Sequence, residues 1–180
     1  MKTKLTYFGH ACFMLTNGDV SMIFDPFLTG NTWDIVKKED IKCQYIFVSH
    51  GHDDHYGDTE FIAKANDALV ISTAEVAGKA AAAGCRTHAM HLGGKYDFEF
   101  GSVRIVPAFH GAGVPGGHAA GCIVNFFGDI VYFAGDTALF SDMKLLNRFG
   151  DIDYALLPIG DNYTMGVEDA ALAASYVKAR

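Results

Sequence analysis

The segment Ser49-His50-Gly51-His52-Asp53-Asp54-His55 packs three imidazoles and two carboxylates into six consecutive residues from His50 onward. Neutral imidazole offers a ring nitrogen and an ionised carboxylate offers oxygens, so this mixture suits divalent metal ions. Zinc comes foremost, and the carboxylates also admit manganese or iron. His50 and His52 are two residues apart, so an extended backbone turns both rings to one side. Gly51 lets the chain bend close to an ion. Asp54 and His55 follow the bend and can face a second ion. A polar surface loop gathers histidines only by chance, and this density at the end of the apolar run 45–49 is poorly explained that way.

Further residues join the argument by position. His110 follows the strand pattern 103–108, and Asp136 follows the pattern 130–134 within Ala-Gly-Asp-Thr. Functional residues of layered α/β folds collect at such strand ends. His10 lies in a tight Gly-His-Ala turn and is a candidate catalytic or substrate-facing residue, against a structural histidine bonded to backbone. A Gly-rich loop, 111–121, directly follows His110 and makes His118 a candidate substrate contact. That loop lacks the strand–helix context of a phosphate-binding loop. Asp161 and Tyr163 follow a buried strand and are weaker substrate-loop candidates. His88 and His91 read as surface residues between elements. Ser49 and Ser141 show no triad logic.

The elements that position these groups alternate short strands with helices. Strands are expected at 5–8, 12–15, 20–24, 45–49 and 69–72, with Asn17-Gly18-Asp19 as a hairpin turn. Helices are expected at 59–65, capped by Asp58, and at 73–83, ended by Gly84. Residues 31–42 read as a short helix or a surface excursion. The pattern returns to strands at 96–100, 103–107, 122–127, 130–134 and 155–157, with Gly128-Asp129 as a turn. A final helix at 167–178 sets Val167, Ala170, Ala171, Ala174 and Val177 on one face. This order requires a layered α/β arrangement with helices outside packed sheets, formed by a single domain over residues 1–180.

Half of the 180 residues are apolar and 19% are charged, which excludes a disordered chain. The formal net charge of −7 argues against a broad nucleic-acid face. Cys12, Cys43, Cys85 and Cys122 form no Cys-x-x-Cys pair and read as buried free thiols. That fits a reducing compartment, and with neither a signal core nor an 18-residue apolar run the expectation is a cytoplasmic protein without membrane spans.

The residues resemble the metallo-β-lactamase superfamily. Ser49-His50-x-His52-x-Asp54-His55 is similar to its signature, with Ser where Thr is commoner. Tyr7-Phe8-Gly9-His10-Ala11, Phe24-Asp25-Pro26-Phe27, Pro158-Ile159-Gly160-Asp161 and Thr164-Met165-Gly166 resemble the branch that contains ascorbate-phosphate lactonase and many metal-dependent hydrolases. The resemblance implies the αβ/βα four-layer sandwich and a two-metal site. In it His50, His52 and His110 hold one ion, Asp54 and His55 hold the other, and Asp136 bridges both. Asp25 supports the ligands from behind. The expected reaction is hydrolysis of a small ester, lactone or phosphoester by metal-activated water, with Asp54 and Asp136 at the chemistry. The alternatives are a nuclease of the superfamily and a catalytically degenerate metal-binding protein. One departure stands out. The superfamily places a last His on the second ion, and no His follows His118. The chain therefore reads as C-terminally incomplete, lacking its last strand and helix. The open sheet edge this leaves makes a homo-oligomer a candidate assembly.

Overall fold

The computed structural model describes residues 2–180. The chain divides into two compact units, one of residues up to 91 with 112–118 and one of residues 92–111 with 119–180.

The first unit is built on a six-stranded sheet. Its strands β1 (Lys4–Gly9), β2 (Cys12–Asn17), β3 (Val20–Phe24), β4 (Tyr45–Phe47), β5 (Leu69–Thr73) and β6 (Thr87–Met90) lie side by side in sequence order. The first three pair antiparallel, and β3 through β6 pair parallel. Asn17 sits opposite Val20, so Gly18 and Asp19 form a two-residue turn with Gly18 at φ 59° in its first central position, where glycine is favoured. In the parallel region the register places Ile23, Ile46 and Val70 abreast on one face, and Phe24, Phe47 and Ile71 abreast on the other. All six are fully buried, which is why these strands read as continuous apolar runs. The helices α2 (Thr59–Asn66) and α3 (Ala74–Ala82) cover the isoleucine face with Ile62, Ala63, Val76 and Ala80. A single turn, α1 (Asp53–Tyr56), precedes them inside the histidine segment.

The second unit holds a five-stranded sheet of β7 (Lys95–Phe98), β8 (Gly101–Pro107), β9 (Ala120–Phe126), β10 (Asp129–Phe133) and β11 (Tyr154–Leu156). The first four form an antiparallel meander, and β11 joins β10 in parallel. A 3-10 segment, Ser141–Phe149, and helix α4 (Val167–Val177) pack Met143, Leu146, Ala170, Ala173 and Val177 against Val106, Ile123 and Tyr132 of this sheet. Among the described residues no helix is long and apolar enough to cross a membrane.

Several local expectations need correction. The buried stripe of α4 is Ala170, Ala173 and Val177; Val167 is 70% exposed, and Ala171 and Ala174 also face outward. Alanine-rich helices carry little amphipathic contrast, so the apolar face is ambiguous in sequence. The β9–β10 turn is Phe127-Gly128, with both residues at positive φ (52° and 100°), and Asp129 already lies in the strand. Strand β6 and the 3-10 segment 141–149 have no counterpart among the expected elements. Three of the cysteines are buried free thiols as expected, but Cys85 is only half-buried.

Asp58 departs from its expected role as a helix cap. It occupies the N-cap position of α2 yet makes no side-chain cap bond. Its carboxylate instead accepts the N–H groups of Leu28 (3.1 Å) and Thr29 (2.7 Å), the Thr29 hydroxyl (2.8 Å) and the Lys38 ammonium (3.1 Å). It thereby fastens the segment after β3 to the start of α2. Burial alone would raise its pKa, but the hydrogen bonds from Thr29, Lys38 and Leu28 outweigh burial and hold it below the ordinary carboxylate value. A depressed folded-state pKa gives stability that is present above the unfolded value of about 3.9 and is lost as pH falls through the folded value. Asp58→Ala is therefore expected to lower the unfolding free energy by about 2–4 kcal/mol at neutral pH. In urea titrations the gap between variant and parent should narrow as the pH drops below about 4.

Candidate metal centre

The histidine segment begins where β4 ends. Val48 N–H still bonds to Ile71 O (3.1 Å), and Asp25 N–H bonds to Phe47 O (2.9 Å), so the sheet carries both chain ends into one place. Asp25 follows β3 at φ 41°, a left-handed conformation that Asp tolerates better than most residues. Its carboxylate is fully buried. It accepts the Ser49 N–H (2.7 Å), the Ser49 hydroxyl (2.5 Å) and His55 Nδ1–H (2.7 Å). Three donors, one of them an imidazole, compensate the desolvation of this group.

His55 gives its Nδ1 proton to Asp25, so Nε2 carries the lone pair. The Ser49 hydroxyl spends its one proton on Asp25, so it accepts from His50 Nδ1 at 2.8 Å. His50 is thereby also set with its lone pair on Nε2. One buried carboxylate thus fixes the tautomers of two histidines, the usual way proteins aim imidazoles at a metal. The rings of His50 and His52 lie 4.7 Å apart, and those of His50 and His55 lie 4.2 Å apart.

His10 belongs to the same cluster. Its backbone sits at φ 53° in the turn between β1 and β2. Its Nε2 lies 3.2 Å from Asp54 Oδ2 and 3.4 Å from His55 Nε2, and His55 Nε2 lies 3.9 Å from the same Asp54 oxygen. Donor atoms of His10, Asp54 and His55 all fall within 4.8 Å of one another. Two imidazoles and a carboxylate at this spacing fit a divalent cation, since soft-to-borderline nitrogen donors and one anionic oxygen converge on a common point. Thiolates do not contribute. Burial, reinforced by the negative charges of Asp25 and Asp58, drives the Cys12 thiol far upward, and burial pushes Cys43 up to about 12. Both stay protonated at neutral pH.

The loop 112–118 closes over the cluster within the first unit. Gly51 N–H bonds to Ala112 O (2.8 Å). A Cβ on Gly51 would stand 2.5 Å from Val114 Cγ1, and one on Gly113 would stand 2.3 Å from His52 N. Gly113 is required because backbone approaches backbone, and Gly51 because the Val114 side chain fills the space a Cβ would take. His118, a candidate substrate contact in the sequence, is placed at the start of α3, where its carbonyl accepts the Thr73 hydroxyl at 3.3 Å. His88 lies in β6, not between elements as the sequence suggested, whereas His91 does stand between β6 and β7 and is exposed.

In the second unit His110 Nε2 and Asp136 Oδ2 lie 3.6 Å apart, both largely shielded. Thr137 holds the two segments together. Its hydroxyl accepts Phe109 N–H at 3.0 Å, and Ala138 N–H bonds to Phe109 O at 3.1 Å. Asp161 and Tyr163 shape a turn. Asp161 N–H bonds to Met165 O at 3.1 Å, its carbonyl accepts from Thr164 at 3.0 Å and also from Tyr163, and the Tyr163 ring is 80% exposed. Sequence reasoning gave Ser49 no function and passed over Glu75; only the hydrogen bonds above show that Ser49 relays Asp25 to His50.

The chain matches the family model described as "Beta-lactamase superfamily domain" over residues 4–180. It is 51% identical over 175 residues to a UPF0173 metal-dependent hydrolase of Natranaerobius thermophilus, covering 97% of this chain and 79% of the relative. It is 47% identical over 186 residues to the UPF0173 metal-dependent hydrolase YtkL of Bacillus subtilis, covering 98% of this chain and 82% of that protein. Among solved structures, a metallo hydrolase from the archaeon Ignicoccus hospitalis superposes with a TM-score of 0.91 at 31% identity, covering 98% of this chain and 79% of that one.

The close approach over Gly51 separates two substitutions. Gly51→Ala meets mainly a side-chain methyl, so adding Val114→Ala is expected to restore much of the stability it loses. Gly113→Ala meets backbone at φ +66° and has no such rescue. We expect it to be the more damaging of the two by at least about 1 kcal/mol, read from thermal or urea unfolding.

Proposed function

The chain belongs to the beta-lactamase superfamily domain family, and from that premise we propose that it is a metal-dependent hydrolase with a two-cation site, acting on a small ester, lactone or phosphoester. The observation that carries this reading is the Asp25 carboxylate, which sets the lone pairs of His50 and His55 on Nε2. A buried carboxylate that orients two imidazoles is the arrangement by which metal sites aim their ligands.

His10, Asp54 and His55 would hold one cation. His50 and His52 would serve the other. Zinc suits this donor set first, with manganese or iron as alternatives. Bound divalent ions supply an activated water and polarise the carbonyl or phosphoryl oxygen of the substrate. The chain's own part is to aim and to hold. Asp25 fixes two imidazoles, Ser49 transmits that constraint, and the turn Gly9-His10 brings a third imidazole to the Asp54 carboxylate. The names of the UPF0173 relatives and of the Ignicoccus protein support the hydrolase class. The choice of a small substrate over a nucleic acid rests on the net charge of −7.

The test begins with metal-free protein titrated with ZnCl2 in a calorimeter and then offered a panel of lactones, carboxylic esters and phosphodiesters. Turnover of at least one small substrate is expected. Asp54→Ala should remove one binding event and lower the rate at least about 100-fold. Asp25→Asn, which cannot accept all three bonds, should weaken zinc binding about 10–100-fold. Zinc binding without turnover of any panel member would favour a degenerate metal-binding protein. Salt-sensitive cleavage of RNA alone would favour a nuclease.

A further inference from the structure

A second group of donors lies in the first unit, apart from the residues assigned above. Glu75 stands in the first turn of α3, His91 directly follows β6, and His118 ends the loop 112–118. Donor atoms of all three fall within 4.8 Å of one another, and the two rings lie 5.3 Å apart.

The arrangement is built rather than incidental. The Thr73 hydroxyl bonds to the His118 carbonyl at 3.3 Å, which pins the loop to the start of α3. Immediately before it, Gly117 lies so close that an added Cβ would stand 3.3 Å from Glu75 Cβ and 2.6 Å from Val114 Cγ2. The loop is therefore pressed onto the very residue that supplies the carboxylate. Glu75 Oε2 is shielded from solvent and has no hydrogen-bond partner in the protein. A carboxylate oxygen buried without a donor costs free energy unless something positive satisfies it. Among the described residues no Lys or Arg does so, whereas two imidazoles face the same point.

We propose that Glu75, His91 and His118 form a separate site for a borderline divalent cation of the zinc, cobalt or nickel class. Two imidazoles and one carboxylate match that class, and the exposure of both histidines leaves room for water to complete the coordination. The site clamps the loop 112–118. The opposite end of that loop packs on Gly51 and His52, where Gly51 N–H bonds to Ala112 O at 2.8 Å. A cation held at His118 thus fixes a segment that also shapes the backbone of the histidine cluster. This inference does not depend on the hydrolase reading.

The experiment is a zinc titration of metal-free protein, 15N-labelled at histidine and followed by the imidazole 15N resonances. Resonances of His91 and His118 are expected to shift together with one midpoint. Glu75→Gln should raise that midpoint at least about 10-fold. Asp54→Ala should leave it unchanged, which keeps failure here distinct from failure of the two-cation proposal. Elemental analysis should show one zinc fewer per chain in His91→Ala/His118→Ala than in the parent; both positions are exposed, so the fold is expected to survive, as a matching circular dichroism spectrum checks. Unmoved resonances at millimolar zinc, shifts with two unrelated midpoints, or an unchanged zinc count would overturn the proposal.

Discussion

A single buried carboxylate organises the candidate site. Asp25 is removed from water and accepts one backbone N–H, one hydroxyl and one imidazole N–H. Left alone in that environment the charge would be untenable; with three donors it becomes the point from which neighbouring side chains take their orientation. The sheet makes this possible. Parallel pairing of β3 with β4 brings Asp25 and Ser49, which are 24 residues apart in sequence, to adjacent strand ends. The left-handed backbone of Asp25, at φ 41°, is the local strain accepted to turn its side chain inward.

Around that centre glycines stand where backbone or neighbouring side chains come too close for a Cβ. Gly51 and Gly113 meet across a gap that a methyl group would fill, and Gly9 packs against Asn31 and Trp33. Asp58 does for the next segment what Asp25 does for the histidines: it collects donors from Leu28, Thr29 and Lys38 and ties the strand exit to the helix start. Two carboxylates that a sequence reading treats as a support residue and a helix cap are thus the two fasteners of the same strand-to-helix region.

The histidine cluster was legible because its density at the end of an apolar run has few explanations other than metal. The long apolar runs that form β3, β4 and β5 were legible for the same reason: burial on both faces leaves no alternation to misread. What was not legible depends on distant or weakly patterned residues. Strand β6, Thr-His-Ala-Met, has little β-branched or aromatic content, so His88 reads as a loop residue. The face of α4 was misjudged by one position because alanine hardly distinguishes inside from outside. The placement of His118 on Thr73 and Glu75 could not be read at all, since three widely separated segments meet there. Asp58 satisfied every local rule for a helix cap and was drawn away by donors 29 and 30 residues earlier.

The central claim is that Asp25, through Ser49 and directly, fixes the proton positions of His50 and His55 before any metal binds. Long-range 1H–15N correlation spectra of the metal-free, histidine-labelled protein at neutral pH report those tautomers directly. The account predicts that both residues are neutral with the proton on Nδ1, and that Asp25→Asn disturbs both patterns together. Protons on Nε2 of either residue, or rings that interconvert freely between tautomers, would contradict it.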